Sequence, residues 1–262
     1  MSVAAMHVTR WGTSGPLIVL VHGSAQGSEV GGDRHFAAQA ALAELGWRVA
    51  VPDRPGHGRS PAPGRPDDAE ADGALIADLL GDGAHLVGHS FGGCVALAAA
   101  AMRPAAVRSL TLIEPAMMAL AADSPVVQGF FAEMGRLAAT AASPADRAVR
   151  FARLVGIPDA IRGGSSEAEL TRMGKALADM RLPPPPQLRA QFAAVRAAGI
   201  PLQVIDGGWN PVFGLVAGRV AELGGGRHVV LAAPHHFPQL AAAAFNPTLA
   251  EFMSAADRQR GG

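Results

Sequence analysis

A serine set between glycines is the feature of this sequence with the clearest chemistry. The five residues Gly88–Gly92 (Gly-His-Ser-Phe-Gly) follow the apolar run 84–87 and precede the apolar stretch 93–100. This order predicts a strand, a sharp turn and the start of a helix, the arrangement called a nucleophile elbow. Glycines suit so tight a turn because side chains there would collide with the neighbouring backbone. Ser90 is therefore the candidate nucleophile, and its hydroxyl needs an imidazole to accept its proton.

Strand and helix signals alternate around this turn. Pro16–Val21 contains an unbroken apolar run, which is typical of a parallel strand covered on both faces. The other predicted strands are 3–10, 47–51, 84–87, 107–113, 200–205 and 227–231. Predicted helices include 33–45, 67–80, 211–223 and a last helix that ends near 254. The alternation indicates an α/β fold with right-handed crossovers and a mostly parallel, doubly wound sheet.

The stretch 116–199 carries only helical signals, in segments rich in Ala, Leu, Met and Arg that are broken by proline and glycine. Within it, Ser166 followed by Glu169 three residues later predicts a helix start with a capping box. We therefore expect an all-helical insertion at 116–199 and a core formed by 1–115 and 200–254. We expect a disordered tail at 255–262.

Composition argues against several kinds of partner. The 262 residues carry 22 Lys and Arg and 22 Asp and Glu, so net charge gives no reason to expect nucleic acid or an anionic membrane. The single cysteine, Cys94, excludes an intramolecular disulfide and is expected to be a buried thiol. Residues 1–10 lack the apolar core of a signal peptide, and 94–102 is too short to span a membrane, so we expect a cytoplasmic protein. We expect no cofactor and no metal site, because two pairs of candidate ligands lack a third member, namely Asp33 with His35 and His235 with His236.

Four segments, in one order along the chain, resemble the α/β-hydrolase family with a helical cap. They are the turn His22-Gly23, the loop Asp53–Ser60 (Asp-Arg-Pro-Gly-His-Gly-Arg-Ser), the elbow Gly88–Gly92 and the segment His236–Leu240 (His-Phe-Pro-Gln-Leu). The resemblance covers nearly the whole chain. It implies an α/β-hydrolase fold whose cap is inserted after the strand that follows the elbow. A fold alone does not define an activity, so the function depends on the residues at the matching positions.

The resemblance places the catalytic base in the loop after the last strand, at His236. The adjacent His235 is the alternative, and the Phe-Pro-Gln-Leu that follows His236 favours the second histidine. The resemblance also implies two backbone N–H donors for the oxyanion, from Phe91 after the nucleophile and from Ser24, with Ala25 as the alternative to Ser24. Three further histidines in these motifs are interpreted as hydrogen-bond partners that shape loops: His22, His57 and His89.

The third member of the triad departs from the family pattern. Family members usually carry a carboxylate after the penultimate strand, where this chain has Asn210 in the turn 207–211 (Gly-Gly-Trp-Asn-Pro). An amide cannot neutralise an imidazolium, and its presence in a serine triad costs about ten-thousandfold in rate. Glu114, which closes the strand after the elbow, is our candidate for the acid, and some fungal resorcylic-lactone hydrolases are similar in having a glutamate there. Asp206 and a degenerate triad remain as alternatives.

The predicted cap is apolar where it would roof Ser90, which implies an apolar substrate. Met117, Phe130 and Phe131 of the cap and Trp209 of the core are the candidate substrate contacts, although cap residues of this kind also fit a cap core. We therefore predict a serine hydrolase that cleaves a hydrophobic ester or lactone through an acyl-enzyme, with Ser90, His236 and Glu114 as its triad. Thioester cleavage, acyl transfer and small-molecule binding without hydrolysis are the alternatives, and the oligomeric state is left open.

Overall fold

One sheet organises the part of the chain that the structure describes. The structure is a computed structural model, and it describes residues 6–24, 26–28, 36–157 and 165–261. Within these ranges seven strands lie in the order β1-β3-β2-β4-β5-β6-β7. The strands are β1 Val8–Trp11, β2 Leu17–Val21, β3 Arg48–Pro52, β4 Ala84–His89, β5 Val107–Ile113, β6 Leu202–Asp206 and β7 Arg227–Val230. Strand β1 is antiparallel to β3 and all other pairs are parallel, so the predicted α/β fold with a mostly parallel sheet is confirmed.

Helices cover both faces of this sheet. The α-helices are α1 Ala69–Leu79, α2 Phe91–Met102, α3 Pro125–Thr140, α4 Pro144–Leu154, α5 Glu167–Asp179, α6 Pro185–Ala197, α7 Pro211–Gly224 and α8 Ala242–Gly261. In β2, Val19 and Val21 join the core that includes α2 and α7, whereas Ile18 and Leu20 join the core that includes α8. Burial on both faces explains why β2 is apolar at every position, and it confirms the doubly wound arrangement.

Several predicted element ends differ from the structure, and the strand predicted at 3–10 is described as Val8–Trp11, with 3–5 outside the described residues. The helix expected at 33–45 is described only from residue 36, and Ala37–Leu45 is a 3₁₀ helix that stops at Gly46, where φ is +87°. Helix α8 continues to Gly261, so the expectation of a disordered tail at 255–262 is wrong for the described residues. Ala256 is buried, and Asp257 accepts a hydrogen bond from Arg108 at 2.9 Å. These contacts anchor the last turns of the helix.

Helices α3, α4 and α5 lie within the predicted cap, and α6 lies in the core. Helix α5 begins with the expected capping box, because Ser166 accepts from the N–H of Glu169 and the Glu169 carboxylate accepts from the N–H of Ser166. Helix α6 packs on α2 and α7, where Phe192 is fully buried. A side chain at Gly224 of α7 would meet Phe192 at 3.1 Å, so this contact is close. The cap boundary expected at 199 is therefore too late, since a helical signal does not reveal which layer a helix joins.

Candidate active site

Ser90 occupies the strained turn between β4 and α2. Its backbone has φ 54° and ψ −122°, a conformation that non-glycine residues rarely adopt. The Ser90 N–H donates to the carbonyl of Ile113 at 2.9 Å, which ties the turn to the end of β5. A Cβ at Gly88 would lie 2.3 Å from the Gly92 carbonyl oxygen, and one at Gly92 would lie 2.3 Å from that of Val21. The two glycines are thus required by close backbone packing, as the elbow pattern predicts.

Glu114 is a second residue with positive φ, at 40°, directly after β5. Its N–H donates to the carbonyl of Ile205 on β6 at 2.8 Å, and its side chain is fully buried. One carboxylate oxygen, Oε1, accepts from the N–H of Gly207 and from the indole Nε1 of Trp209, both at 2.8 Å. The other oxygen, Oε2, lies 2.5 Å from Nδ1 of His236. Glu114 therefore joins the loop after β6 to the loop after β7.

His236 is held from several sides. The backbone N–H of His236 donates to the carbonyl of Gly156 in the cap at 3.2 Å, and the backbone carbonyl of His236 accepts from Nε2 of His89 at 2.8 Å. The imidazole also contacts the rings of His89 and Phe213, each at 4.6 Å between centroids. His89, which precedes Ser90 in the chain, thus packs against the imidazole of His236. Among the described residues, the Ser90 hydroxyl makes no hydrogen bond to His236, and the contact between the elbow and His236 is made by His89.

Burial controls the protonation of this pair. It lowers the pKa of His236 to about 3, helped by the nearby charge of His235, so the imidazole is neutral at pH 7. It raises the pKa of Glu114 to about 8, while the hydrogen bonds from Gly207 and Trp209 act in the opposite direction and Asp206 adds to the rise. Because the two groups touch, they titrate as one unit. The state with an ionised glutamate and a neutral imidazole is reached when this unit loses its shared proton.

The alternative acids and the alternative base have other partners. Asp206 accepts from the N–H of Gly208 at 2.7 Å, and its other oxygen contacts the His228 imidazole. Asn210 accepts from the N–H of Val212 at 2.8 Å and caps helix α7. Nδ1 of His235 accepts from the N–H of Phe237 at 3.2 Å. Of the predicted acids and bases, Glu114 and His236 are the two that the structure brings together.

The two candidate oxyanion donors belong to segments that touch at Ser90. A Cβ at Gly23 would lie 2.9 Å from the Cβ of Ser90, so the His22-Gly23 turn passes directly beside Ser90. Ser24 follows this turn, and its hydroxyl donates to the sulfur of Met180 in the cap at 2.9 Å. Phe91 is the first residue of α2. Ala25, the alternative to Ser24, lies outside the described residues.

The loop Asp53–Ser60 is shaped by a buried arginine that the sequence analysis missed. Arg54 is fully buried and donates to the carboxylates of Asp72 at 2.8 Å and Asp67 at 3.1 Å. Its N–H donates to Nε2 of His22 at 3.0 Å, and its guanidinium lies 3.3 Å from Nε2 of His57. Burial, followed by the charge of Arg54, lowers the pKa of His57 to about 4. These two histidines have the loop-shaping contacts expected of them, and the available signal for Arg54 was its position two residues after a buried strand.

The candidate substrate contacts fall into three environments. Met117 is buried, Phe130 is partly buried and packs against the ring of Phe213, and Phe131 is 38% exposed. Trp209 contacts Phe213 and directs its indole N–H at Glu114. Phe213 links Phe130 to the imidazole of His236, yet the sequence analysis did not select it. Its place in the first turn of α7, after the 207–211 turn, was the available signal.

A cavity of about 640 Å³ lies between the 55–67 loop and helix α5. Its described walls are polar and apolar in equal parts, and the polar side chains include Gln26, His57, Arg65, Asp67, Glu169 and Arg172. Gln26 accepts from the N–H of Gly23 at 2.9 Å, so the cavity adjoins the turn beside Ser90. Ser90, Glu114 and His236 are not among the residues that line it.

The described ranges contain no helix that is long and apolar enough to cross a bilayer. They also contain no group of three or more His, Cys, Asp or Glu side chains arranged to hold a metal ion. The single cysteine is buried on α2, and burial raises its thiol pKa to about 12.

The elbow, the sheet order and the residues after β5 and β7 together are typical of one protein family. Residues 16–154, more than half of the chain, match the family model of the α/β-hydrolase fold. The chain belongs to this family, as the sequence resemblance predicted.

The chain is also similar to individual proteins and to solved structures. The chain is 45% identical over 116 residues to lipase LipV of Mycobacterium tuberculosis, a match that covers 43% of this chain and 42% of that protein. It is 32% identical over 217 residues to a pimeloyl-[acyl-carrier protein] methyl ester esterase of Aromatoleum aromaticum, covering 77% of this chain and 82% of the relative. A hydrolase from Pseudomonas aeruginosa superposes with a TM-score of 0.70 at 25% identity, over 95% of this chain and 94% of that one. The chain thus spans less than half of the lipase and most of the methyl ester esterase.

Proposed function

We propose that this protein is a serine carboxylic-ester hydrolase that acts through an acyl-enzyme. The observation that carries the proposal is the 2.5 Å contact between Glu114 and Nδ1 of His236, beside a strained serine turn. A carboxylate on Nδ1 holds the proton on that nitrogen and leaves Nε2 as a base. Since His236 is buried and neutral at pH 7, it is in the state that a base requires.

The proposed reaction has two halves. The Ser90 oxygen attacks the ester carbonyl carbon while its proton moves to Nε2 of His236, and the N–H groups of Phe91 and Ser24 bind the oxyanion. The tetrahedral intermediate then breaks its bond to the leaving alcohol, which takes the proton from Nε2. Water next attacks the acyl carbon through the same base, which releases the acid and restores Ser90. Glu114 stays ionised and stabilises the imidazolium in both halves.

A hydrophobic ester or lactone is the proposed substrate. Phe130 packs against Phe213, and Phe213 packs against the imidazole of His236, so the two phenylalanines form an apolar wall next to the base. The relatives named as a lipase and as a methyl ester esterase support an ester in general. A lactone is an internal ester and needs the same groups, and a glutamate after β5 resembles the arrangement in resorcylic-lactone hydrolases.

A covalent probe tests the nucleophile without knowledge of the substrate. The purified protein is treated with a fluorophosphonate and digested, and the modified peptide is located by mass spectrometry. We expect the adduct on Ser90 and no labelling of Ser90→Ala. Ser254→Ala, a serine on helix α8, is the matched control and should be labelled like the parent. Labelling that survives in Ser90→Ala would refute the proposal.

Turnover then defines the substrate. p-Nitrophenyl esters of increasing chain length, a macrolactone, its open-chain ester and an acyl-CoA are compared on the same preparation. We expect ester hydrolysis that favours longer acyl chains, and faster turnover of the macrolactone than of its open form would assign a lactonase. Preferential release of free thiol from acyl-CoA would assign thioester cleavage instead. Stoichiometric binding without turnover of any substrate would contradict the proposed hydrolase.

A further inference from the structure

Trp209 donates a hydrogen bond from its indole to the carboxylate of Glu114. We propose that Trp209 is a positioning residue for the acid–base pair, with its indole N–H fixing the Glu114 carboxylate and the cap residue Gly156 fixing its ring. The activity readouts of this inference rest on the proposed ester hydrolase. The inference replaces the expectation that Trp209 is mainly a wall of the substrate pocket.

The indole N–H is directed at both carboxylate oxygens. Nε1 of Trp209 lies 2.8 Å from Oε1 and 3.1 Å from Oε2 of Glu114. The N–H of Gly207 supplies the second donor to Oε1 at 2.8 Å. With these two donors in place, the carboxylate can turn only Oε2 towards Nδ1 of His236. Loss of the indole donor would leave the buried carboxylate short of one hydrogen bond and less firmly oriented, which is costly for a charged group.

The cap holds the other side of the indole. Gly156 follows helix α4 with φ +62°, and a Cβ there would lie 2.5 Å from two atoms of the Trp209 ring. The carbonyl of the same glycine accepts the backbone N–H of His236 at 3.2 Å. One turn of the cap therefore contacts both the base and the residue that orients the acid. Phe213 packs against the indole at 5.3 Å between centroids.

A positioning role predicts a specific kinetic pattern. The indole N–H is occupied by Glu114, so it contributes to the orientation and charge of the acid and makes no hydrogen bond to substrate. A hydrogen bond to the ionised form lowers a carboxyl pKa. The ionisable groups that face Glu114 are His236 and His235 from the loop after β7 and Asp206 from β6. None of these is changed by a substitution at Trp209.

The first experiment removes the N–H and keeps an aromatic ring. In Trp209→Phe we expect kcat to fall about 10- to 100-fold, the range for one hydrogen bond to a charged group. We expect KM to change less than twofold, and the acid limb of kcat/KM to move to higher pH. Trp11→Phe, on β1 at the far edge of the sheet, is the matched control and should keep both the rate and the pH profile.

The second experiment displaces the ring without touching Trp209. Gly156→Ala should lower kcat and shift the acid limb in the same direction, because its Cβ collides with the indole. Gly199→Ala is the control, since Gly199 has φ +65° with open space around it and so carries the same backbone strain without the collision. This pair also decides the matter if Trp209→Phe does not fold, as judged by circular dichroism.

The inference is overturned if Trp209→Phe keeps kcat and raises KM, which is the pattern of a pocket wall. It is also overturned if the pH profile does not move, or if Gly156→Ala and Gly199→Ala behave alike. Its failure is separable from failure of the proposed function. If the parent is labelled at Ser90 and hydrolyses ester, and Trp209→Phe has the same kcat, KM and pH profile as the parent, only the proposed role of Trp209 is wrong.

Discussion

Replacing Glu114 with glutamine tests the core of the site, because it changes one atom and reverses one hydrogen bond. Oε1 of Glu114 accepts two N–H donors, from Gly207 and Trp209, so the glutamine carbonyl must take that position. Its NH₂ group then faces Nδ1 of His236. An NH₂ can only donate, so Nδ1 becomes the acceptor and the imidazole proton moves to Nε2. Nε2, the proposed base nitrogen, is then protonated and cannot accept the proton of Ser90.

The wrong tautomer and the missing negative charge act together. In serine triads the acid-to-amide change costs about 10⁴-fold in kcat, or roughly 5 kcal/mol of transition-state stabilisation. We expect Glu114→Gln to lose activity by about 10³- to 10⁴-fold, with KM little changed. Steady-state hydrolysis of a p-nitrophenyl ester measures the loss, provided that Ser90→Ala sets the background.

Stability separates a catalytic defect from unfolding. Burial raises the folded-state pKa of Glu114 to about 8 from an ordinary value of 4.5. The folded state therefore binds this proton more tightly than the unfolded state, and the stability that this carboxyl contributes falls as pH rises from about 4.5 to about 8. Glutamine does not ionise, so at pH 8 the Tm of Glu114→Gln should equal or exceed that of the parent.

Asn210→Asp is the matched control for Glu114→Gln. Asn210 caps α7 through its side-chain oxygen, and aspartate accepts the same bond from Val212. We expect near-parental activity from Asn210→Asp in the parent background, and no rescue when it is combined with Glu114→Gln. If Glu114→Gln keeps at least a third of parental kcat, or if the double variant recovers activity, the assignment of the acid is wrong.

Three further outcomes are expected. The value of kcat/KM should rise with pH up to a pKa near 8, since the Glu114–His236 unit must lose its shared proton first, and a pH–rate profile that is flat from pH 6 to 9 would contradict this. Unfolding by urea should become easier as pH falls from about 6.5 to about 4. Burial lowers the pKa of both His57 and His85 to about 4, so these histidines bind protons in the unfolded state at a higher pH than in the folded state. The test is whether the urea concentration at the unfolding midpoint drops over this pH range. Arg54→Met should lower the free energy of unfolding by about 3–5 kcal/mol because it leaves Asp72 buried without this partner, and a loss below 1 kcal/mol in urea titration would show that the network contributes little.

Local signals in the sequence were sufficient for most of the fold. The apolar run of β2 predicted a strand buried on both faces, and Ser166 with Glu169 predicted the capped start of α5. The elbow was predicted from five residues, because its glycines are required by contacts with nearby backbone atoms. Each of these signals depends on a few adjacent residues, whose own propensities decide the local structure.

Only the tertiary structure decided how the site is assembled. Glu114 and His236 are separated by 122 positions, and Glu114 and Trp209 by 95. The sequence could offer Glu114 and Asp206 as acids and Asn210 at the usual position of the acid. Their side chains were distinguished by their partners, which are His236 in the loop after β7, His228 on β7 and Val212 at the start of α7. The same reason applies to the end of α8, where Asp257 meets Arg108, and to α6, which joins the core. A contact between distant segments depends on how the sheet brings their ends together, and residue type alone does not contain that information.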